Sequence, residues 1–231
     1  MSKGSAVAKG GQGVFKLLTL ISLLSPLLFF IAVFGTRLKV WGVSFGFEVL
    51  TMQVALALAW VGGAAALLAL GLALGQRRMK SVWLYVVTCV VVAGVSLAVF
   101  QVQARAYGVA GGTDVTTDAA EPVGFSRQVM GQRRGLPNQP EVCEGLVTVS
   151  RQVAPITAIE AMRQAGFTPM GSAAFRADGY RESFWFGQVH HVAIRIRPGQ
   201  TDVRVGARYP VKDGDQACQL AKAVVAGLQP N

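Results

Sequence analysis

The side chains with the most chemical potential gather on two neighbouring segments near the C-terminus. Val189–Arg197 and Thr201–Tyr209 both alternate with a period of two, the signature of half-buried strands. On that pattern Val192, Ile194 and Ile196 share one side with Val203, Val205 and Ala207. His191, Arg195 and Arg197 share the other side with Arg204 and Arg208, and Arg181 and Trp185 are expected to join them from the preceding strand. Several guanidiniums on one sheet face, with an aromatic ring beside them, can grip a carboxylate or a phosphate bidentately. The plainer alternative is a solvated face whose arginines are balanced by acids such as Asp202 and Glu182.

Other chemical constellations are thinner. The two histidines, His190 and His191, are adjacent, so on a strand they point to opposite faces and cannot share a metal ion. Gly42-Val43-Ser44-Phe45-Gly46 matches the GxSxG nucleophile elbow, which needs a strand-to-helix turn above a large sheet. Here it falls in a short loop between two apolar stretches, where Trp41, Phe45 and Phe47 fit an interfacial aromatic belt. Gly10-Gly11-Gln12-Gly13 lacks the strand and lysine of a phosphate-binding loop and reads as a flexible tail. No catalytic residue, metal ligand set or cofactor is therefore expected. Cys143 and Cys218 are expected to pair, closing a loop of about 75 residues with a nominal ~4 kcal/mol.

The elements that must carry these residues divide the chain in two. Of 231 residues, 52% are hydrophobic and 15% charged, with a net charge of +10; mean hydropathy is +0.43. Residues 1–107 hold nine Lys and Arg against the single acid Glu48, and the remaining residues hold 13 against 11. The positive charge thus flanks apolar runs instead of gathering on a folded domain, which argues against nucleic-acid binding. We expect a membrane domain over 1–107 with three transmembrane helices at about 14–34, 49–74 and 82–104, each long enough to cross a bilayer. Lys3, Lys9 and Lys16 precede the first span, and Arg77, Arg78 and Lys80 separate the second from the third. The positive-inside rule then places the N-terminus in the cytoplasm and the C-terminal half outside it, in the periplasm or its equivalent. The first span reads as an uncleaved anchor, with Pro26 tolerated because Ser22 and Ser25 lie near the carbonyls it frees. Ala55, Ala59 and Gly63 recur every four residues, and Gly71 and Gly75 form a GxxxG match. Together these suggest one smooth stripe for helix packing, within the chain or against another subunit.

Residues 108–141 read as a connector partly draped over the domain C-terminal to it, and 142–231 as an extracytoplasmic α+β domain. Its expected elements are a helix over Pro155–Ala165, strands at Phe167–Phe175 and Arg181–Phe186 separated by a turn at Ala177-Asp178-Gly179, the two arginine-bearing strands, and a helix from Gly214 to about Ala226 capped by Asp213. Pro198-Gly199 predicts a type II turn between the two arginine-bearing strands. The expected fold class is α+β: three transmembrane helices followed by an antiparallel sheet covered on one face by two helices.

From about Thr117 onward the chain resembles the domain-of-unknown-function 1499 family. The blocks that carry the likeness are Pro122-Val123-Gly124-Phe125, Pro137-Asn138 with Cys143, Phe186-Gly187, Val192–Pro198, Thr201–Val205, and Arg208 with Asp213. His190-His191 stands where an acidic pair is common, and Ala217 where the family signature has Asn. The resemblance implies a few membrane spans followed by this domain outside the cytoplasm. The function expected is a non-catalytic inner-membrane protein, in contact with membrane lipids, whose exported domain binds a membrane-protein partner or a second copy, as an accessory subunit would. The alternatives are an anionic envelope component bound on the arginine face, and an envelope hydrolase using His190 or His191 as base.

Overall fold

The computed structural model describes residues 3–75, 79–108, 112–133, 136 and 139–229. Arg77 and Arg78, which bear on the orientation of the spans, and Pro137-Asn138 of the family blocks lie outside the described residues. The chain divides into two compact units, Met1–Arg105 and Ala106–Asn231.

The first unit contains three helices long and apolar enough to cross a membrane, at Gly13–Arg37, Phe45–Gly75 and Val82–Arg105. Helix α1 spans Lys3–Arg37, so the glycine-rich segment expected as a flexible tail is helical. The second span starts four residues earlier than expected, with a π-helical stretch at Phe45–Ala55 that continues into α2 (Leu56–Gly75). Helix α3 spans Met79–Gly108.

The serines beside Pro26 join α1 to the second span, and Ser22 also serves its own helix. Ser22 Oγ donates to Leu18 O at 3.1 Å and to Gly62 O at 3.3 Å, and Ser25 Oγ donates to Ala55 O at 2.7 Å. A Cβ at Gly62 would stand 3.3 Å from Ser22 Cα, so glycine allows the two backbones to approach closely. The stripe expected through every fourth residue does not stay on one face. An α-helix turns about 100° per residue, so Gly75 lies about 200° around the axis from Ala55. The buried line follows the 3.6-residue period instead: Ala55, Ala59, Gly62, Ala65, Ala66, Ala69 and Ala73. Gly63 is half-buried near Leu97, while Gly71 and Gly75 are exposed, with no atom within 4 Å of an added Cβ.

The GxSxG match has a packing explanation. Trp41 Nε1 donates to Thr36 Oγ1 at 3.0 Å, and its ring packs edge-on against Phe45. A Cβ at Gly46 would stand 2.0 Å from Thr36 Oγ1, and one at Gly35 2.0 Å from the Trp41 ring. Gly46 therefore makes room at a tryptophan-capped helix junction, and Ser44 simply precedes the π-helical stretch.

The second unit is a five-stranded antiparallel sheet in the order β1-β5-β4-β3-β2, with helices, as the α+β pattern predicts. The strands are β1 (Asp114–Thr116), β2 (Thr168–Ala173), β3 (Arg176–Glu182), β4 (Val189–Arg197) and β5 (Gln200–Ala207). The helices are α4 (Arg127–Gln132), α5 (Pro155–Gln164) and α6 (Gln216–Leu228). Pro155 starts α5, and Gly199 has the positive φ of 73° that a type II turn needs. One sheet face, built on Val192, Ile194, Ile196, Val203 and Val205, forms a single core with Ala158, Ala161 and Met162 of α5 and Leu220, Ala221 and Val224 of α6. Cys143 and Cys218 are disulfide-bonded, with α-carbons 6.0 Å apart, and fasten the segment before α5 to α6.

Two expectations need correction. Ala177-Asp178-Gly179 is not a turn: it lies in the middle of β3, paired with Val192–Ile194. Space there is tight for any side chain, since a Cβ would stand 3.0 Å from Thr168 O and 3.2 Å from Met162 Sδ. Residues 108–141 also do more than connect, since they supply β1, which pairs with β5, and α4.

Candidate functional site

The arginine face is assembled by register. His191 pairs with Gly206, Ala193 with Arg204, and Arg195 with Asp202 across β4 and β5, so all six side chains or Cα positions share one side. On the far side of β5, Asp114 stands beside Gly206 and Thr116 beside Arg204.

This face is not open. Residues 112–133 lie across it, and Arg204, expected to bind from the surface, is 1% exposed. Its Nε and Nη2 donate to Asp114 Oδ1 and Oδ2 at 2.8 and 2.7 Å, and its Nη1 donates to Val123 O at 3.0 Å. Arg133 completes the cluster by donating to Asp114 Oδ2 and to Ala207 O, both at 2.8 Å. The two guanidiniums also share one ring: Arg133 Cζ and Arg204 Cζ lie 4.7 and 4.6 Å from the Phe125 centroid, within cation–π range. A Cβ at Gly206 would stand 2.8 Å from Arg133 Nη2, so this glycine lets the arginine lie flat on β5.

Further along the same face, Arg195 and Arg197 meet three carboxylates. Arg195 Nη2 contacts Asp118 and Asp202 at 3.3 and 3.1 Å, and its Nη1 reaches Glu121 at 3.2 Å. Arg197 contacts the same three, Asp118, Asp202 and Glu121, at 3.1, 2.7 and 2.6 Å. The Glu121 backbone N–H, donating to Asp118 Oδ1 at 3.0 Å, and then the Arg197 and Arg195 guanidiniums hold the Asp118 carboxyl below the usual carboxylate range. Across the two clusters four guanidiniums therefore face four carboxylates, while Arg208 on the same face bonds His191 and Gln132.

The remaining expected site residues disperse. Arg208 Nε donates to His191 Nε2 at 3.3 Å and its Nη2 to Gln132 Oε1 at 2.7 Å. His191 is 1% exposed; burial, then Arg208, Arg133 and His190, push its pKa down to about 4, so it is neutral at pH 7. Accepting from Arg208 at Nε2 leaves the ring proton on Nδ1. Arg181 is a correction: it pairs with His190, which puts it on the helix side of the sheet, where its Nη1 donates to Ala165 O at 3.3 Å. Trp185 lies past the end of β3, in the loop leading to β4, and is 50% exposed.

His190 points to the opposite face from His191, as alternation requires. Its Nε2 lies 3.0 Å from Asp213 Oδ2, which also accepts from Ala217 N at 3.1 Å. Asp213 thus ties β4 to the first turn of α6, ahead of the helix start. His190 and Asp213 side chains are 2% and 0% exposed, so the pair stands between sheet and helix, away from any outside substrate.

Asp114, Asp118, Glu121, Phe125 and Arg133 escape the strand-by-strand reading because they come from the aperiodic connector. The available signal is Gly206 inside an otherwise alternating strand, which marks close approach by another group. Among the described residues no group of three or more His, Cys, Asp or Glu is placed to hold a metal ion. Comparison of the chain with family models, curated proteins and solved structures finds no match.

Proposed function

We propose that this is a non-catalytic inner-membrane accessory protein: an exported domain, rigid by construction, carried on three spans that pack against a membrane-protein partner or a second copy. The locked polar face is the observation that carries the reading. Its arginines, the best candidates for surface chemistry, brace the domain internally, which leaves the outer surface and the spans as the parts that meet other molecules. In the spans, Gly71 and Gly75 are the stripe residues their own bundle does not cover. Export is supported by the lysines before the first span and by the Cys143–Cys218 bridge, since disulfides persist in oxidising compartments. The likeness to the domain-of-unknown-function 1499 family is part of this proposal; its Val192–Pro198 and Thr201–Val205 blocks lie along β4 and β5. The covered arginine face weighs against the alternative of an anionic component bound there.

One preparation tests both halves of the proposal. The full chain, carrying a C-terminal reporter that fluoresces only when made in the cytosol, is extracted in mild detergent and weighed intact. The expected result is a dark reporter and a mass above one chain, falling to one chain in the Gly71→Ile, Gly75→Ile variant. A bright reporter overturns export, and a lone monomer from the unaltered protein overturns the partner.

A further inference from the structure

The two ends of the sheet differ in what they expose. β1 and β4 are both antiparallel to β5, so they begin at the same end, with Asp114, Gly206 and His191 in one row. β3 finishes there, and the loop Ser183–Gln188 carries the chain back into β4. The loop is tightly closed. Ser183 N donates to Gln188 O at 2.8 Å, Gln188 N to Ser183 Oγ at 3.1 Å, and Gly187, with φ 64°, donates to Ser183 O at 3.2 Å. Phe186 is buried beneath it, whereas Phe184 and Trp185 are 80% and 50% exposed, their rings edge-to-face at 5.3 Å. A loop fixed at its base thus presents two large aromatics to the surroundings.

The charges at this end are placed by the same register. Arg181 stands beside His190, Glu182 beside Val189, and the Arg208 amide bonds Val189 O from the other side. Exposed Lys212 and half-buried Asp215 lie in the link to α6, and Arg163 at the end of α5 pairs with Glu160. Asp213 and Asp114 are buried on His190 and on Arg133 with Arg204. Arg181, Arg208 and Lys212 thus stand around the aromatic tip with Glu182 and Asp215, while exposed Glu141 lies at the β1 edge of the same sheet end, its carboxylate beside Gly112.

Asp114 comes only six residues after Gly108, the last residue of α3, a reach of at most about 22 Å of extended chain. In chain order, then, the sheet is entered from the third span at the same end that carries the exposed rings. Trp and Phe flanked by long cations match the headgroup layer of a bilayer, where the ring meets the acyl boundary and the cation meets phosphate. We propose that the Phe184–Trp185 loop docks into the headgroup layer of the membrane that anchors the chain, with Arg181, Arg208 and Lys212 at the phosphates.

The full chain reconstituted into vesicles tests this, because a symmetric bilayer presents the same lipid to the domain on either side. The vesicles are phosphatidylcholine alone or mixed with phosphatidylglycerol. The Trp185 signal is the fluorescence difference between the unaltered chain and Trp185→Phe, which removes the background of the three tryptophans in the first unit. Docking predicts that brominated lipid quenches this signal and that aqueous iodide does not. Phe184→Ser should raise iodide access several-fold, and Lys212→Ala should lower the docked-to-undocked ratio about fivefold in phosphatidylglycerol vesicles, the loss of one surface cation. Quenching in both compositions supports docking carried by the rings; quenching in phosphatidylglycerol vesicles alone supports docking that needs the cations. A Trp185 open to iodide and blind to brominated lipid in both overturns the proposal and leaves the loop to a protein partner. The measurement does not depend on whether the spans bind a second subunit.

Discussion

The β4–β5 part of the sheet in the second unit is sealed on both faces, by opposite means. Beneath α5 and α6 the seal is apolar, with Val192, Ile194, Ile196, Val203 and Val205 packed against Met162, Leu220 and Val224. Beneath residues 112–133 it is largely ionic, with Arg204 and Arg133 held on Asp114 and stacked on Phe125, beside a small apolar cluster of Val123, Phe125, Val129 and Ala193. The contrast reflects what each cover can offer. A 13-residue amphipathic helix such as α6 brings a whole apolar stripe, and hydrophobic burial is non-directional and tolerant of changes that keep volume. A short strand and a six-residue helix bring few apolar side chains. They hold the sheet instead through directional contacts, each dependent on its partner.

The sharpest way to break this contrast is Asp114→Ala. It leaves two buried guanidiniums without their shared carboxylate and should cost about 3–5 kcal/mol, read from hydrogen exchange of the β4 and β5 amides in the detergent-solubilised chain. A loss under about 1 kcal/mol would show that the ionic seal matters little. The next effect is pH-dependent and belongs to the ionic face alone. His191 titrates near 4 in the folded chain and near its ordinary 6.5 when unfolded. The unfolded state therefore binds the extra proton first as pH falls. Stability should be flat above pH 6.5 and decline from there to about pH 4, and His191→Gln should flatten that part of the profile. An unchanged profile in the variant would remove His191 as the cause. The smallest effect should come from Arg195→Ala. Arg195 is partly exposed, and Asp202 keeps Arg197 and Gln200 when it is lost, so the cost should be about 1 kcal/mol or less. A cost equal to that of Asp114→Ala would mean the two arginine clusters act as one.

Much of this architecture is legible in periodicity and in a few special residues. The three spans are set by uncharged length, α5 by Pro155 and its apolar spacing, and the β4–β5 hairpin by alternation and Pro198-Gly199. Pairing of Cys143 with Cys218 is the natural expectation once both fall in one folded half. Glycine misleads twice, because its two uses look alike in a sequence. Gly179 resembles a turn residue, but it lies where Met162 and Thr168 crowd β3. Gly75 resembles a continuation of the Ala55 stripe, but about twenty residues of helix carry it about 200° away.

The candidate site shows where local reading stops. Alternation correctly separates His191, Arg195 and Arg204 from Val192 and Ile194, since the side of a strand depends only on residue spacing. Alternation says nothing about what lies above a face. The same arginines can be a solvated surface, an anion site or an internal brace, depending on whether another segment arrives with carboxylates. Composition, membrane-length runs, strand parity and the turn at Gly199 were determined by the sequence itself, because each depends on neighbours a few residues apart. The covering of the arginine face by residues 112–133, the joining of His190 to Asp213 and the exposure of Phe184 and Trp185 were decided only by the tertiary structure. Each depends on contacts between segments distant in the chain, and charge or hydropathy alone cannot say which distant partner will fill a given place.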